Sequence, residues 1–174
     1  MSQRWALFFM VAVGVFLSTM DSSMINVALP ELMRTFHATL PQTEWVVIIY
    51  LLTITVTLLL WGNLADRFSR GKIYLYGMLG FALGSIGCAI SPTLSVLILF
   101  RFFQALGASM MMSSGPALIK VVFPEKDLGM ALGMVGIATS SGLMSGPVVS
   151  GFLLEMFSWR AIFLVTLPLS LSVF

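Results

Sequence analysis

Charge is what this sequence has least of. Only 9% of its 174 residues are Asp, Glu, Lys or Arg, and nine basic against seven acidic side chains leave a formal charge of +2. So small and dispersed a charge does not suggest nucleic acid as a partner. A lone cysteine, Cys88, offers no disulfide and no metal pair, and reads as a small buried apolar side chain. The single histidine, His37, falls in a loop between apolar runs and reads as part of its polar surface. No base therefore lies at depth beside Ser113 or Ser114, and an intramembrane hydrolase, or any enzyme, is not expected. A glycine-rich loop ending in Lys-Ser or Lys-Thr is absent too, so no ATP-driven motor is encoded.

What is present is apolar sequence, 59% of the chain, with a mean hydropathy of +1.03, above the roughly 45–50% of a soluble domain. Charge-free runs extend from Trp5 to Met20, Trp45 to Ala65, Ile73 to Phe100 and Leu128 to Leu154. A helix crosses the hydrocarbon core in about 20 residues. The runs are continuous rather than alternating, which favours helices over a lipid-facing barrel. The expected fold is an all-α polytopic membrane protein with spans near residues 5–29, 45–64, 73–92, 94–119 and 128–154, and a sixth over 161–174. Arg4 followed by Trp5–Leu17 has signal-peptide proportions, but apolar sequence resumes at Met24–Leu29, so this is read as an uncleaved first helix. The sixth run has fourteen residues, or ~21 Å of helix against ~30 Å of hydrocarbon. It reads as incomplete, and the chain as the front part of a longer protein or a truncated product.

Counting Lys and Arg in alternate connections orients the chain. Arg4, Arg67, Arg70, Lys72, Lys120 and Lys126 fall on one side, and Arg34 and Arg160 on the other. The positive-inside rule then puts the N-terminus, and the turn holding Arg67, Arg70 and Lys72, in the cytoplasm of a cell-membrane protein. Gly77, Gly80, Gly84 and Gly87 stripe the third run; Gly129, Gly133, Gly136, Gly142, Gly146 and Gly151 punctuate the fifth. Small residues at such spacing let helix backbones approach closely in lipid.

Six motifs occur in order: Met20-Asp21-Ser22-Ser23-Met24-Ile25-Asn26-Val27-Ala28-Leu29-Pro30; Trp45 with Tyr50; Gly62-Asn63-Leu64-Ala65-Asp66-Arg67-Phe68-Ser69-Arg70-Gly71-Lys72; Arg101-Phe102-Phe103-Gln104-Ala105-Leu106-Gly107; Gly142-Leu143-Met144-Ser145-Gly146-Pro147 with Gly151; and Trp159-Arg160-Ala161-Ile162-Phe163. On these the chain resembles the N-terminal, six-helix half of a major facilitator superfamily transporter, with its 3+3 inverted repeat, of the drug:proton antiporter group with fourteen helices. The likeness covers essentially the whole chain. Departures are small: the family usually has glycine at Ser69, Ala105 and Ser150, a basic residue at Gly71 and asparagine at Thr166.

Asp21 and Arg101 are the only charges well inside a span. Counted from Pro30 and from Leu94 they lie at similar depth, ~13 Å and ~10 Å of helix, where ionisable groups by default mark a pathway. Burial favours the neutral acid and a nearby cation the carboxylate, so proton occupancy can follow the opening of a cavity. A permanent structural pair, or local bonds from Asp21 to Ser22, Ser23 or Asn26, is the alternative. The resemblance implies a proton coupled at Asp21 and tuned by Arg101, with the proton gradient rather than a cofactor as energy source. Asn26, Tyr50, Gln104 and Met112 are the expected lining of a cavity for a small hydrophobic or cationic substrate. Met110, Met111 and Met112 point around the helix, which disfavours a copper(I) site.

The resemblance further implies that Gly62 packs against the other half of the protein, and that Asp66, Arg67 and Arg70 join a charge network closing the cytoplasmic side. Within this chain Arg67 or Arg70 is placed to meet Glu125 or Asp127. Gly142, Gly146, Pro147 and Gly151 form the antiporter motif, Pro147 removing one backbone bond and bending the fifth helix. The function expected is multidrug efflux by drug:proton antiport. The alternatives are a symporter or metabolite exporter of the same superfamily, or an inactive half acting as a membrane scaffold. Six to eight further spans downstream would support a carrier. Besides lipid and substrate, the expected partner is the remaining half of the same protein.

Overall fold

The computed structural model describes residues 3–171, and the described residues are helical, with no strand among them: α1 (Gln3–Phe36), α2 (Leu40–Arg67), α3 (Arg70–Ala89), α4 (Leu94–Val122), α5 (Glu125–Met156), α6 (Arg160–Leu164) and α7 (Thr166–Leu171). Five are long and apolar enough to cross a membrane. The last three residues of the expected sixth span lie outside the described residues; what is described of it is α6 and α7, interrupted at Val165 shortly before Pro168.

The helices outrun the apolar runs because hydropathy marks where a helix leaves hydrocarbon, not where it stops. α1 continues through Pro30, which deprives only the Asn26 carbonyl of its helical donor, and ends seven residues past Leu29. His37 terminates it. At φ 50° it adopts the left-handed conformation, which histidine tolerates better than most side chains, and Ala38 N–H then closes on the Met33 carbonyl at 3.1 Å, a Schellman-type ending. α2 starts at once: Thr39 N–H donates to Gln42 Oε1 at 2.9 Å, and Pro41 occupies its first turn, where no donor is needed.

Two seams of small residues set the packing. α3 lies on α4 so closely that a Cβ at Gly77 would sit 2.8 Å from the Gly107 carbonyl, and one at Gly84 2.6 Å from Gln104 Cα. α5 lies on α1 in the same manner. A Cβ at Gly142 would sit 2.7 Å from the Phe16 carbonyl, one at Gly146 2.6 Å from Ser23 Cβ, and Ser150, one turn on, donates to the Met24 carbonyl at 3.0 Å. α2 packs on α4, tied by Thr57 Oγ1 to Ser109 Oγ at 2.8 Å. α2 on α4 and α5 on α1 are the equivalent contacts of a three-helix unit repeated, with α1 and α4 central. Trp159, buried where α6 begins, packs edge-to-face with Phe36, ring centroids 5.4 Å apart. Beside it Arg160 lies over the indole and donates to the Ser91 carbonyl at 3.4 Å.

Candidate functional site

Asp21 of α1 and Arg101 of α4 are both fully buried and directly paired, Arg101 Nη1 donating to Asp21 Oδ2 at 2.5 Å. Pro30, expected to mark the outer boundary of the first span, lies inside α1, which runs on to Phe36, yet the two side chains meet. Gln104, one turn from Arg101 and equally buried, completes a triangle: its Oε1 accepts from Arg101 Nη1 at 2.7 Å, and its Nε2 donates to Asp21 Oδ1 at 3.1 Å. Each carboxylate oxygen thus has its own donor, as an ion pair removed from water requires. Arg101 Nε reaches the Val46 carbonyl of α2 at 3.3 Å, and the guanidinium lies 4.1 Å over the Tyr50 ring. One nitrogen, Nη2, is buried and makes no hydrogen bond with the described residues.

The cluster continues into α3 and the sixth span. Gln104 Nε2 also donates to Ser85 Oγ at 2.7 Å, Ser85 Oγ lies 3.3 Å from Thr166 Oγ1, and Cys88 Sγ is 3.7 Å from Gln104 Oε1. Ser18, Ser85, Cys88 and Thr166 were not picked out as site residues from the sequence. Ser18 had a signal, lying three residues before Asp21 and so on the same helical face. Ser85 and Cys88, in the glycine-striped run, had none.

Of the four expected cavity residues, Tyr50 and Met112 border one cavity of about 210 Å³, together with Ser18, Ser22, Ile54 and Leu143. Tyr50 Oη is 2.9 Å from Ser18 Oγ, which in turn lies 4.0 Å from Met112 Sδ. Gln104 is not there; it faces the ion pair. Asn26 is exposed one turn beyond Ser22, whose carbonyl its amide reaches at 3.3 Å. A larger cavity of about 400 Å³ between α2, α3 and α4 has Trp61, Phe100 and Phe103 in its walls and none of the ion-pair residues. The smaller one, which shares Tyr50 with the ion pair, is therefore the candidate ligand site. The three methionines diverge: Met110 meets α3 at Gly77, Met111 is in the core and Met112 borders the cavity. No group of three or more metal-ligating side chains occurs among the described residues.

At the α2–α3 turn, Arg70 donates from Nη2 to Asp66 Oδ1 at 2.6 Å and from Nε at 3.2 Å. The expected bridges to Glu125 or Asp127 are not formed, and Arg67 is exposed with no salt bridge among the described residues. The reason is local. Asp66 ends one helix and Arg70 opens the next, each with the wrong sign for its own helix dipole, so they neutralise each other across a short turn. Glu125 and Asp127 lie in the first turn of α5, where that dipole already favours them. Nothing lies within 4 Å of a Cβ built at Gly62 or at Gly151. Pro147 does not interrupt α5. The carbonyl it leaves without a helical donor, Leu143, accepts Ser23 Oγ of α1 at 2.8 Å.

The chain has relatives among known proteins. A sequence model of the Major Facilitator Superfamily matches residues 11–174, and the chain belongs to that family. A riboflavin transporter of Clostridioides difficile is 39% identical over 171 residues, 98% of this chain and 38% of that protein. A tetracenomycin C resistance and export protein of Streptomyces glaucescens is 32% identical over 97% of this chain and 31% of its own length. A methylenomycin A resistance protein of Streptomyces coelicolor is 39% identical over 91% of this chain and 34% of its own. The chain thus spans between about a third and two fifths of the curated relatives it matches. The crystal structure of a bacterial homologue of the human lysosomal transporter Spinster, inward-facing and occupied, superposes with a TM-score of 0.80 over 99% of this chain and 44% of that one. At 16% identity this likeness shows the fold alone.

Proposed function

We propose that these residues are the first half of a proton-coupled secondary active transporter that exports hydrophobic or cationic molecules in exchange for protons. One observation carries the reading: a carboxylate buried at mid-helix, bonded to an arginine and a glutamine, with the same arginine stacked on a tyrosine that borders a cavity. Protonating Asp21 removes its charge and releases Arg101, so a change in water access to the pair becomes a change in bonding between α1 and α4. The cavity supports the substrate class. Its walls are apolar with a few hydroxyls and a methionine, which fit varied shapes better than one polar headgroup. Exposed Arg67 and the open surface at Gly62 support a cytoplasmic contact with the rest of the protein, the N-terminus lying on that side.

The test is transport by the full-length protein in inverted vesicles. Asp21→Asn is expected to abolish the dependence of drug accumulation on an imposed pH gradient, and full retention of that dependence refutes the reading. A second reading, movement of riboflavin, is favoured by the 39% identity to the Clostridioides difficile protein over 98% of this chain. Riboflavin competing with drug accumulation at micromolar concentration would favour it over multidrug export.

A further inference from the structure

We propose that Tyr50 is the partition between the ligand cavity and the buried ion pair, and that an aromatic cation entering the cavity displaces it and so admits water to Asp21. This rests on the proton-coupled reading above. Tyr50 borders the 210 Å³ cavity, whereas Asp21, Arg101 and Gln104 do not. Its ring lies against the Arg101 guanidinium at 4.1 Å. The hydroxyl anchors the ring's far edge, at 2.9 Å from Ser18 Oγ and 3.4 Å from the Ser18 carbonyl. The residue, buried in the core, is thus tied to Ser18 of α1 and Arg101 of α4, and turning it away would join the two compartments.

Two features make that rotation chemically reasonable. A planar cation in the cavity offers the ring a second positive partner, in competition with Arg101. Water reaching the cluster would give the unpartnered Arg101 Nη2 an acceptor, which offsets the loss of the stack. The titratable groups facing the carboxylate are Arg101 of α4, Tyr50 of α2 and Cys88 of α3, while the sixth span presents Phe163 and Thr166 to the cluster. With water admitted, the Asp21 carboxylate can exchange its proton with solvent: the protonated form has lost its bond to Arg101, which keeps Gln104 Oε1 and the Val46 carbonyl. When the proton returns to solvent, the pair re-forms.

Cys88, the one cysteine in this sequence, reports on the wetting of the cluster because its sulfur abuts Gln104. In the full-length protein in membranes, its modification by a small water-soluble methanethiosulfonate would be followed by mass on the peptide that holds it. Wild type is expected to react slowly, Tyr50→Phe and Ser18→Ala severalfold faster, and Tyr50→Ala at least tenfold faster. Ethidium, a planar cationic probe, is expected to accelerate wild type but not Tyr50→Ala. Proteoliposomes loaded with a pH dye should show a proton leak in Tyr50→Ala that Asp21→Asn removes.

Unchanged labelling in folded Tyr50→Phe and Ser18→Ala would overturn the partition, even if Tyr50→Ala fails to fold. No effect of ethidium on wild type would overturn the displacement step. Because labelling requires no transport, these results are separate from loss of the proton-coupled reading, which the pH-gradient dependence of Asp21→Asn decides.

Discussion

Arg101 joins three helices through one planar group, with Nη1 donating to both Asp21 of α1 and Gln104 of its own α4, Nε donating to the Val46 carbonyl of α2, and its flat face on Tyr50. Lysine cannot replace it, since an ammonium has neither the fork nor the face. Arg101→Ala leaves Asp21 buried without its cation and is expected to destabilise the full-length protein by about 3 kcal/mol, read as a lowered Tm in detergent. Arg101→Ala with Asp21→Asn, which removes both charges, should recover most of that loss. Equal Tm values for the single and double variants would contradict the pairing. The pair was legible in the sequence because charge is so rare there: two ionisable residues at similar depth in apolar runs are costly unless they meet. Gln104 was misplaced because depth follows from counting residues, whereas the direction a side chain takes around its helix depends on which neighbours pack there. The glycine contacts that put α3 against α4, and so Ser85 against Gln104, form between runs that no sequence spacing links.

At the scale of the helix, the Gly146-Pro147 pair shows how a break in local bonding becomes a tertiary contact. Gly146 lets α1 approach, and Ser23 on the approaching helix supplies the donor that Pro147 lacks. Ser23→Ala should therefore cost about 1 kcal/mol when residue 147 is proline, because a carbonyl is left bare, and close to nothing in Pro147→Ala, where the helix supplies its own donor. Unfolding of the four proteins of that cycle measures the difference, and additive effects would show that Ser23 does not serve the Leu143 carbonyl. Gly146→Val should prevent close approach altogether and lower the yield of folded protein. Proline's missing donor was readable in the sequence, but the serine that answers it lies 120 residues away and carried no mark. At the α2–α3 turn the expected partners, Glu125 and Asp127, lay too far along the chain: Asp66 and Arg70 are four residues apart, and the pair they form is local, exposed and of small energetic weight.

For the whole molecule, the unevenness of burial matters most. In their most apolar stretches α3 is 61% buried, while α2 and α5 are each only 17% buried. The equivalent helices of the two repeats thus turn broad apolar faces outward, available to lipid or to the remainder of the protein. The positive-inside count predicts which end is which. An impermeant maleimide added to intact cells is expected to label His37→Cys and not Ser69→Cys in the full-length protein; the reverse pattern would invert the orientation. The five long apolar helices were legible because hydrocarbon imposes one length and one composition on every crossing. How the helices neighbour one another was not, since lipid is as apolar as leucine and only scattered small residues decide which surfaces meet.

The Gly77–Gly107 seam also bears on how such a bundle can move. Backbones in van der Waals contact have no side-chain cushion to slide upon, so α3 and α4 are bound to travel as one body, whatever rearrangement the rest undergoes. Spin labels on their exposed flanks would keep a constant separation through a transport cycle, giving an internal ruler against which the displacement of α2 or α5 can be gauged.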